Sequence, residues 1–245
     1  MRAMIFGALA LCLIPAACES ADIEQFGEIL GEVVGGADGQ DGKDGLSGFE
    51  IDAGLRQALE IGANRVADQI GVTDGYWKDP KIQIPLPGRL GEVQSTLAKV
   101  GFSGPLDDLQ LRMNRAAEQA VPAGKKIVVD AVKSITIEDA VGLLRGGDTA
   151  ATDFLRAKTE VGLRNTFTPY VENALTSSGA YQTLDSVTSS QPLLAGFATD
   201  YKSDLTNFAV QYGLDGMFDY LALEEKKIRE NPVARTTELL RRVFG

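Results

Sequence analysis

The spacing of apolar residues after residue 50 is helical nearly throughout. Between Ala53 and Ile70, the positions Leu55, Ala58, Leu59, Gly62, Val66 and Ile70 fall on one face, three or four residues apart. The same step recurs at Val93, Leu97 and Val100, and again at Leu106, Leu109, Met113, Ala116, Ala117 and Ala120. Pro122 then reads as the first residue of a new helix, since proline is tolerated there and costly further in. That helix carries Ile127, Val128, Ala131 and Val132. Thr136 and Asp139 form an acidic version of the capping box and predict a helix ending at Leu144. Gly146-Gly147 stops it, and Asp148 is placed to cap the next. Thr168-Pro169 marks another break or start. The longest periodic run is 204–229, with Leu205, Phe208, Ala209, Tyr212, Leu214, Phe218, Leu221 and Ile228. Asn231-Pro232 is a cap followed by a first-turn proline, and a last helix holds Leu239, Leu240, Val243 and Phe244.

Only Lys81-Ile82-Gln83-Ile84-Pro85-Leu86-Pro87 alternates as a strand does, and its two prolines confine it to a sheet edge or a loop. No internal repeat of fixed period is visible. The pattern predicts an all-α fold, a multi-helix bundle of about eight to ten helices, as one domain over 51–245.

The first 50 residues follow other rules. Residues 1–17 read as a signal peptide. Arg2 supplies the charge, 4–14 is an uncharged apolar run, and Ala16-Ala17 are small residues suited to cleavage. The run is too short to span a bilayer. Pro15-Ala16-Ala17-Cys18 resembles the lipobox of bacterial lipoproteins, with Pro15 where leucine is usual; the resemblance implies lipidation of Cys18. The competing reading is a plain secreted chain cut near Ala17. Glu19 after Cys18, by resemblance to the enterobacterial sorting rule, favours the outer membrane. Residues 18–50 read as a tether. Ile23, Phe26, Ile29, Leu30, Val33 and Val34 give it a short amphipathic segment, and five triplets starting with glycine follow from Gly36. Five triplets without proline cannot form a collagen helix, and the Asp38, Asp41, Asp44 spacing misses the alternate-position pattern of a calcium loop.

Composition narrows the chemistry. The chain has 245 residues, no histidine and two cysteines, both within the first 18 residues. That excludes a Ser-His-Asp triad, His-ligated metals and imidazole relays, and it leaves the helical part without a thiol nucleophile, disulfide or iron–sulfur ligand. The net charge of −10 argues against nucleic acid as a partner.

Several segments resemble a bacterial family catalogued as domain of unknown function 4197. The residues that carry the resemblance are Ile84-Pro85-Leu86-Pro87, Asp107-Asp108-Leu109 with 111–118, Ile137-Glu138-Asp139-Ala140 through Leu144 to Thr152, and Asn231-Pro232-Val233-Ala234-Arg235-Thr236-Thr237. The resemblance covers most of the chain after Ala53. It implies a helical exported protein, often a lipoprotein, and supplies no reaction, ligand or cofactor.

Four constellations could carry chemistry. Asp108, Arg112 and Arg115 share one helix face, with Asp107, Asn114 and Glu118 beside it. The arginines suit a carboxylate or phosphate, or a ladder of structural ion pairs. Arg145-Gly146-Gly147-Asp148-Thr149 leads into a helix whose N–H groups could hold an anion, though it is no Walker loop and Asp148 competes for the same groups. Glu138, Asp139, Asp148 and Asp153 could bind Mg²⁺ or Ca²⁺, or act as acid and base. Around the 224–236 junction, Arg235 is the residue a plain solvated helix end explains least; it could reach Glu225 or a helix C-terminus. Trp77, between Gly75 and Pro80, anchors a loop or lines a ligand mouth.

The functional expectation is an exported, periplasmic, non-enzymatic domain, anchored to the outer membrane through Cys18. It binds a small apolar or anionic ligand, or an envelope protein, with Arg112, Arg115, Arg145 and Arg235 as polar contacts. One alternative is a carboxylate-based hydrolase using Mg²⁺ or Ca²⁺ at Glu138, Asp139, Asp148 and Asp153. The other is an oligomeric envelope scaffold. No cofactor is implied.

Overall fold

The computed structural model describes residues 45–177, 179–190 and 201–245. The leader, Cys18, the amphipathic segment at 21–34 and most of the glycine triplets lie outside the described residues. Within them the fold is all-α, with eight α-helices: α1 (Gly48–Ile70), α2 (Gly88–Ala98), α3 (Gly104–Lys133), α4 (Ile137–Leu144), α5 (Ala150–Ser177), α6 (Ala180–Ser190), α7 (Tyr201–Glu230) and α8 (Glu238–Phe244). A 3₁₀ turn, Pro232–Ala234, joins the last two.

Four long helices, α1, α3, α5 and α7, make the core. The contacts fix their directions. Gly71 lies against Val121, and Arg56 donates to the carbonyls of Lys133 and Ile135, so α1 runs antiparallel to α3. Arg156 reaches Asp215 and Arg164 reaches Gln211, so α5 runs antiparallel to α7. The short helices flank this core: α2 and α6 pack on α3, α4 on α1 and α5, and α8 on α1 and α7. Gly124 sets the closest approach of α3 and α5, since a Cβ there would lie 2.3 Å from the Phe167 ring. The bundle has two ends. At one stand the starts of α1 and α5, the ends of α3 and α7, and helices α4 and α8. The turn between α2 and α3 stands at the other.

The caps at Thr136 and Asn231 stand where the sequence places them, and the cap that starts α1 does not. Ser47 and Glu50 form a reciprocal capping box, so α1 begins at Gly48 and takes in residues 48–50, expected as the end of the tether. Thr136 and Asp139 form the second box and start α4. Asn231 accepts from the Val233 amide ahead of Pro232.

Two prolines depart from expectation. Pro122 does not start a helix; it sits inside α3, and Pro169 sits inside α5. Both lie on the exposed side. Each removes one hydrogen bond from its helix, while the buried face continues through Val121, Gly124, Val128 and Val132 in α3 and through Phe167, Val171 and Ala174 in α5. Burial of an aliphatic or aromatic side chain contributes about 1.5–3 kcal/mol. Several such side chains beyond each proline outweigh the roughly 3 kcal/mol an internal proline costs.

Candidate functional site

The connection from α1 to α2, residues 71–87, is long and irregular, yet it is fastened at many points. Loops of that length in a compact domain are uncommon, and those that are well ordered usually carry function. Its inner side chains are Tyr76, Ile82, Ile84 and Leu86, all buried. The alternation seen in the sequence is real, but the segment pairs with no strand among the described residues. It lies on helices, and side chains replace the missing strand partner.

Asn114 is that partner. Its Oδ1 accepts from the Ile84 amide at 2.8 Å, and its Nδ2 donates to the Ile84 carbonyl at 2.9 Å. Gln110 Nε2 adds a second donor to the same carbonyl at 3.2 Å. One turn along α3, the buried Glu118 accepts from the amides of Tyr76 and Trp77 through Oε1, both at 3.1 Å. Its Oε2 accepts from Arg115 at 2.8 Å. Arg115 also binds Asp74 at 2.5 Å. Asp74 has a φ of 73°, a left-handed turn position that aspartate tolerates better than most residues. Hydrogen bonds from Lys78 and Arg115 hold the Asp74 carboxyl below its usual range, and its partner Glu118 raises Arg115.

Helix α7 grips the loop from the other side. The Tyr76 hydroxyl donates to the Gly213 carbonyl at 2.6 Å, and Tyr220 donates to Asp79. Burial drives the Tyr76 phenol far up, and desolvation with the Asp79 bond pushes Tyr220 up to about 12. Gly216 makes the close fit, because a Cβ there would come within 3.1 Å of both Ile82 and Tyr76. What the loop presents outward is Trp77, half-buried, with Lys78, Lys81 and Pro85 exposed. Trp77 thus sits half-buried in the loop.

The arginines of the sequence reading go to separate places. Arg112 pairs with Asp108 at 2.7 Å on the surface of α3, next to Gly179. Arg115 belongs to the loop clamp. Arg235 caps the end of α7, donating to the carbonyls of Ile228 at 3.0 Å and Arg229 at 2.8 Å. Arg145 is exposed at the end of α4, with no ion pair among the described residues.

The start of α5 does hold an anion, but one the chain itself supplies. Glu225 accepts from the amides of Ala151 and Thr152 and from the Thr152 hydroxyl, at 2.7–3.0 Å. Arg229 binds Glu225 at 2.7 Å and donates to the carbonyls of Leu143 and Leu144, so one ion pair closes the end of α4 and the start of α5 together. Asp148, expected as the cap, instead meets Lys226 at 3.0 Å.

The four candidate metal carboxylates do not converge. Asp139 is spent in its capping box, where Thr136 holds it below its usual range. Asp148 faces Lys226, Asp153 accepts from Thr149, and Glu138 is exposed. Among the described residues no group of three acidic side chains is placed to hold a metal ion. Two apolar clefts were found between helices. One is lined by Ala63, Val66, Val121, Lys125, Met217 and Leu221, the other by Leu55, Leu59, Leu221, Ile228 and Phe244. Each leaves about 10 Å³ to the centre of a water-sized sphere, room for about one water.

Sequence reasoning passed over Glu118 and Asn114 as loop clamps. The signal was present: Gln110, Asn114 and Glu118 form a polar stripe at steps of four beside the apolar face of α3. No helix of the described residues is long and apolar enough to cross a membrane.

No curated protein and no solved structure matches the chain. A family model described as "Protein of unknown function (DUF4197)" matches residues 45–245, the whole helical bundle with its clamped loop. The chain belongs to that family.

Proposed function

We propose that this is an exported, non-enzymatic binding domain, anchored to the outer membrane through Cys18, which presents the 71–87 loop to a protein partner in the envelope. The observation that carries the reading is the clamp. Two buried polar side chains, Asn114 and Glu118, hold an irregular loop in one conformation while Trp77, Lys78 and Lys81 face out. A preformed surface loses little ordering entropy on association, and tryptophan is among the side chains that most often carry the energy of an interface. The anchor part of the reading rests on Arg2, the apolar run after it and Ala16-Ala17-Cys18. A small apolar ligand is less well served, since each cleft has room for about one water. The hydrolase reading lacks convergent carboxylates among the described residues.

The test is site-specific photocrosslinking in cells, with the photoreactive residue at Lys78 or Lys81 and a control at Lys126 on the exposed face of α3. A discrete adduct formed from the loop and absent from the control supports the reading, provided Trp77→Ala abolishes it without unfolding the chain. Equal adducts from all three positions, or none, would overturn it. Native mass spectrometry of the gently purified chain reads the small-ligand alternative, through an extra mass that denaturing extraction removes.

A further inference from the structure

Helix α5 has an outer face that the rest of the chain does not explain. Its other sides pack on α3 and α7, which separate it from α1 and from the 71–87 loop. Lys158, Gly162, Asn165, Pro169 and Glu172 recur on the outer face at steps of four and three, all exposed, with Val161 beside them at 74% exposure. Two of these residues weaken a helix. Gly162 costs conformational entropy, and a Cβ there would meet nothing within 4 Å, so no neighbour in the described chain requires its small size. Pro169 removes a backbone hydrogen bond in mid-helix, also on the exposed side. Burial elsewhere on α5 lets the helix tolerate both, but no contact among the described residues calls for either.

The charges of this face are arranged about its centre. Lys158 stands seven residues before Asn165 and Glu172 seven residues after it, about 10 Å along the axis on each side. Within one chain they are about 21 Å apart and cannot pair. Neither has an ion pair among the described residues; Lys158 lies over the Phe154 ring and is near enough to Asp139 to help lower its carboxyl. The flanks add little charge. Towards α7, Glu160 is held between Arg156 and Arg164 at 3.7 and 3.5 Å. On the other side Thr166, Tyr170 and Asn173 carry none. Each chain has a net charge of −10, but at physiological salt the screening length is about 8 Å, so the charges near the face decide.

A surface with that arrangement is complementary to itself. In a two-fold dimer both copies use the same patch, and a residue before the axis meets one equally far after it. With α5 antiparallel to its copy and the axis at Asn165, Lys158 of each chain comes opposite Glu172 of the other. Val161 and Gly162 come opposite Pro169 and Thr168, so the glycine leaves room where the proline ring stands out. Asn165 meets its own copy, and its amide both donates and accepts. A patch for an unlike partner is under no such constraint about its middle. The face is about 21 Å long and one helix, about 10 Å, wide. That is well short of the roughly 800 Å² per partner of a stable interface, so the pair forms and dissociates.

We infer that α5 docks on α5 of a second copy of this chain, antiparallel about Asn165, as a dissociable dimer that leaves the 71–87 loop of each copy free on the far side. The inference does not depend on the loop reading above.

The test is a charge exchange, read by photocrosslinking of the full chain in cells with the photoreactive residue at Val161. The expected product has twice the mass of the chain and contains this chain alone. Lys158→Glu sets carboxylates opposite each other at two places, and Glu172→Lys does the same with ammonium groups. An exposed pair is worth about two- to five-fold in association, so each reversal should lower the adduct about ten-fold. The double variant, Lys158→Glu with Glu172→Lys, should restore it, which no role within one chain does across about 21 Å. Both residues are exposed, so thermal unfolding of all three variants should match the parent's. An adduct that the single reversals leave unchanged overturns the inference, as does one that the double variant fails to restore, an adduct to a different protein, or none from position 161. A photoreactive residue at Lys81, on the loop, should give no two-copy adduct, and one as strong as that from position 161 also overturns it.

Discussion

Glu118→Ala is the sharpest test of the clamp. In the native chain, Glu118 accepts two backbone amides, those of Tyr76 and Trp77, and a charged donor from Arg115. Its side chain is 4% exposed. Truncation leaves both amides without their acceptor in a site water barely reaches. A buried donor left unsatisfied costs about 1–3 kcal/mol, so the pair costs about 4 kcal/mol. Arg115 adds little, because at 28% exposure it keeps Asp74 and finds water. A domain of this size is stable by about 5–15 kcal/mol. The variant should therefore fold, with Tm lowered by about 8–16 °C at roughly 2–4 °C per kcal/mol. Glu118→Gln keeps one oxygen for the amides and loses the charge, so it should lose about 1–2 kcal/mol. Trp77 is the only tryptophan and its amide donates to Glu118, so its emission reads the loop while far-UV circular dichroism reads the helices. In Glu118→Ala the Trp77 transition should precede the helical one in urea. A stability within about 1 kcal/mol of the parent, with Trp77 emission unchanged, would refute the argument.

Other sites give sharper signs than magnitudes. Glu225→Ala leaves Arg229, only 11% exposed, without its carboxylate and uncaps α5, so a loss of about 3–5 kcal/mol is expected in urea unfolding, the low end of which Glu225→Gln should not reach. Gly124→Ala and Gly162→Ala should have opposite effects on Tm: the first drives a Cβ into Phe167 and costs about 1–3 kcal/mol, while the second meets nothing within 4 Å on an exposed helix face and gains about 1 kcal/mol. Glu50, Asp74 and Asp139 all have carboxyls lowered by their partners, through the Ser47 amide, through Lys78 and Arg115, and through Thr136. Their unfolded forms bind protons first, so the stability they contribute is full above the ordinary carboxylate values and drains as pH falls through the lowered ones. Tm should be nearly flat from about pH 6 to 8, where a chain without histidine has little to titrate, and should fall below about pH 4. A triple Asp74→Asn, Asp139→Asn, Glu50→Gln variant should show a shallower acid slope in the same scan.

What the sequence made legible was local. Thr136 with Asp139 announced α4 because both halves of the cap lie within one turn, and Asp108 met Arg112 for the same reason. The prolines misled because their penalty is local while the force that overrides it is not; α3 continues past Pro122 because its buried face, Val128 and Val132 included, lies in a helix packed on α1 and α5, which no window of the sequence contains. The clamp was hidden for a related reason. Asn114 meets Ile84 across 30 residues and Glu118 meets Tyr76 across 42. The polar stripe 110, 114, 118 announced that something polar must lie against α3, without naming it. The anion site at the start of α5 was legible as a type and not as an occupant: the glycines and the helix start were read, but Glu225, 73 residues from Thr152, was not.

That last case bears on how the remaining surface should act. A helix start, an Arg pair and a buried carboxylate look alike in sequence whether the partner is internal or external, and here most were met internally, by Glu225, Glu118 and the carbonyls at the end of α7. What remains outward is the loop held by Asn114 and Glu118. A clamp that serves presentation makes the loop adduct depend on it: Glu118→Ala should lower the yield of the adduct formed from position 78 at temperatures where the helices are still folded. An adduct as strong as the parent's, in a chain whose Trp77 transition has moved ahead of the helical one, would mean that the partner does not read the clamped conformation.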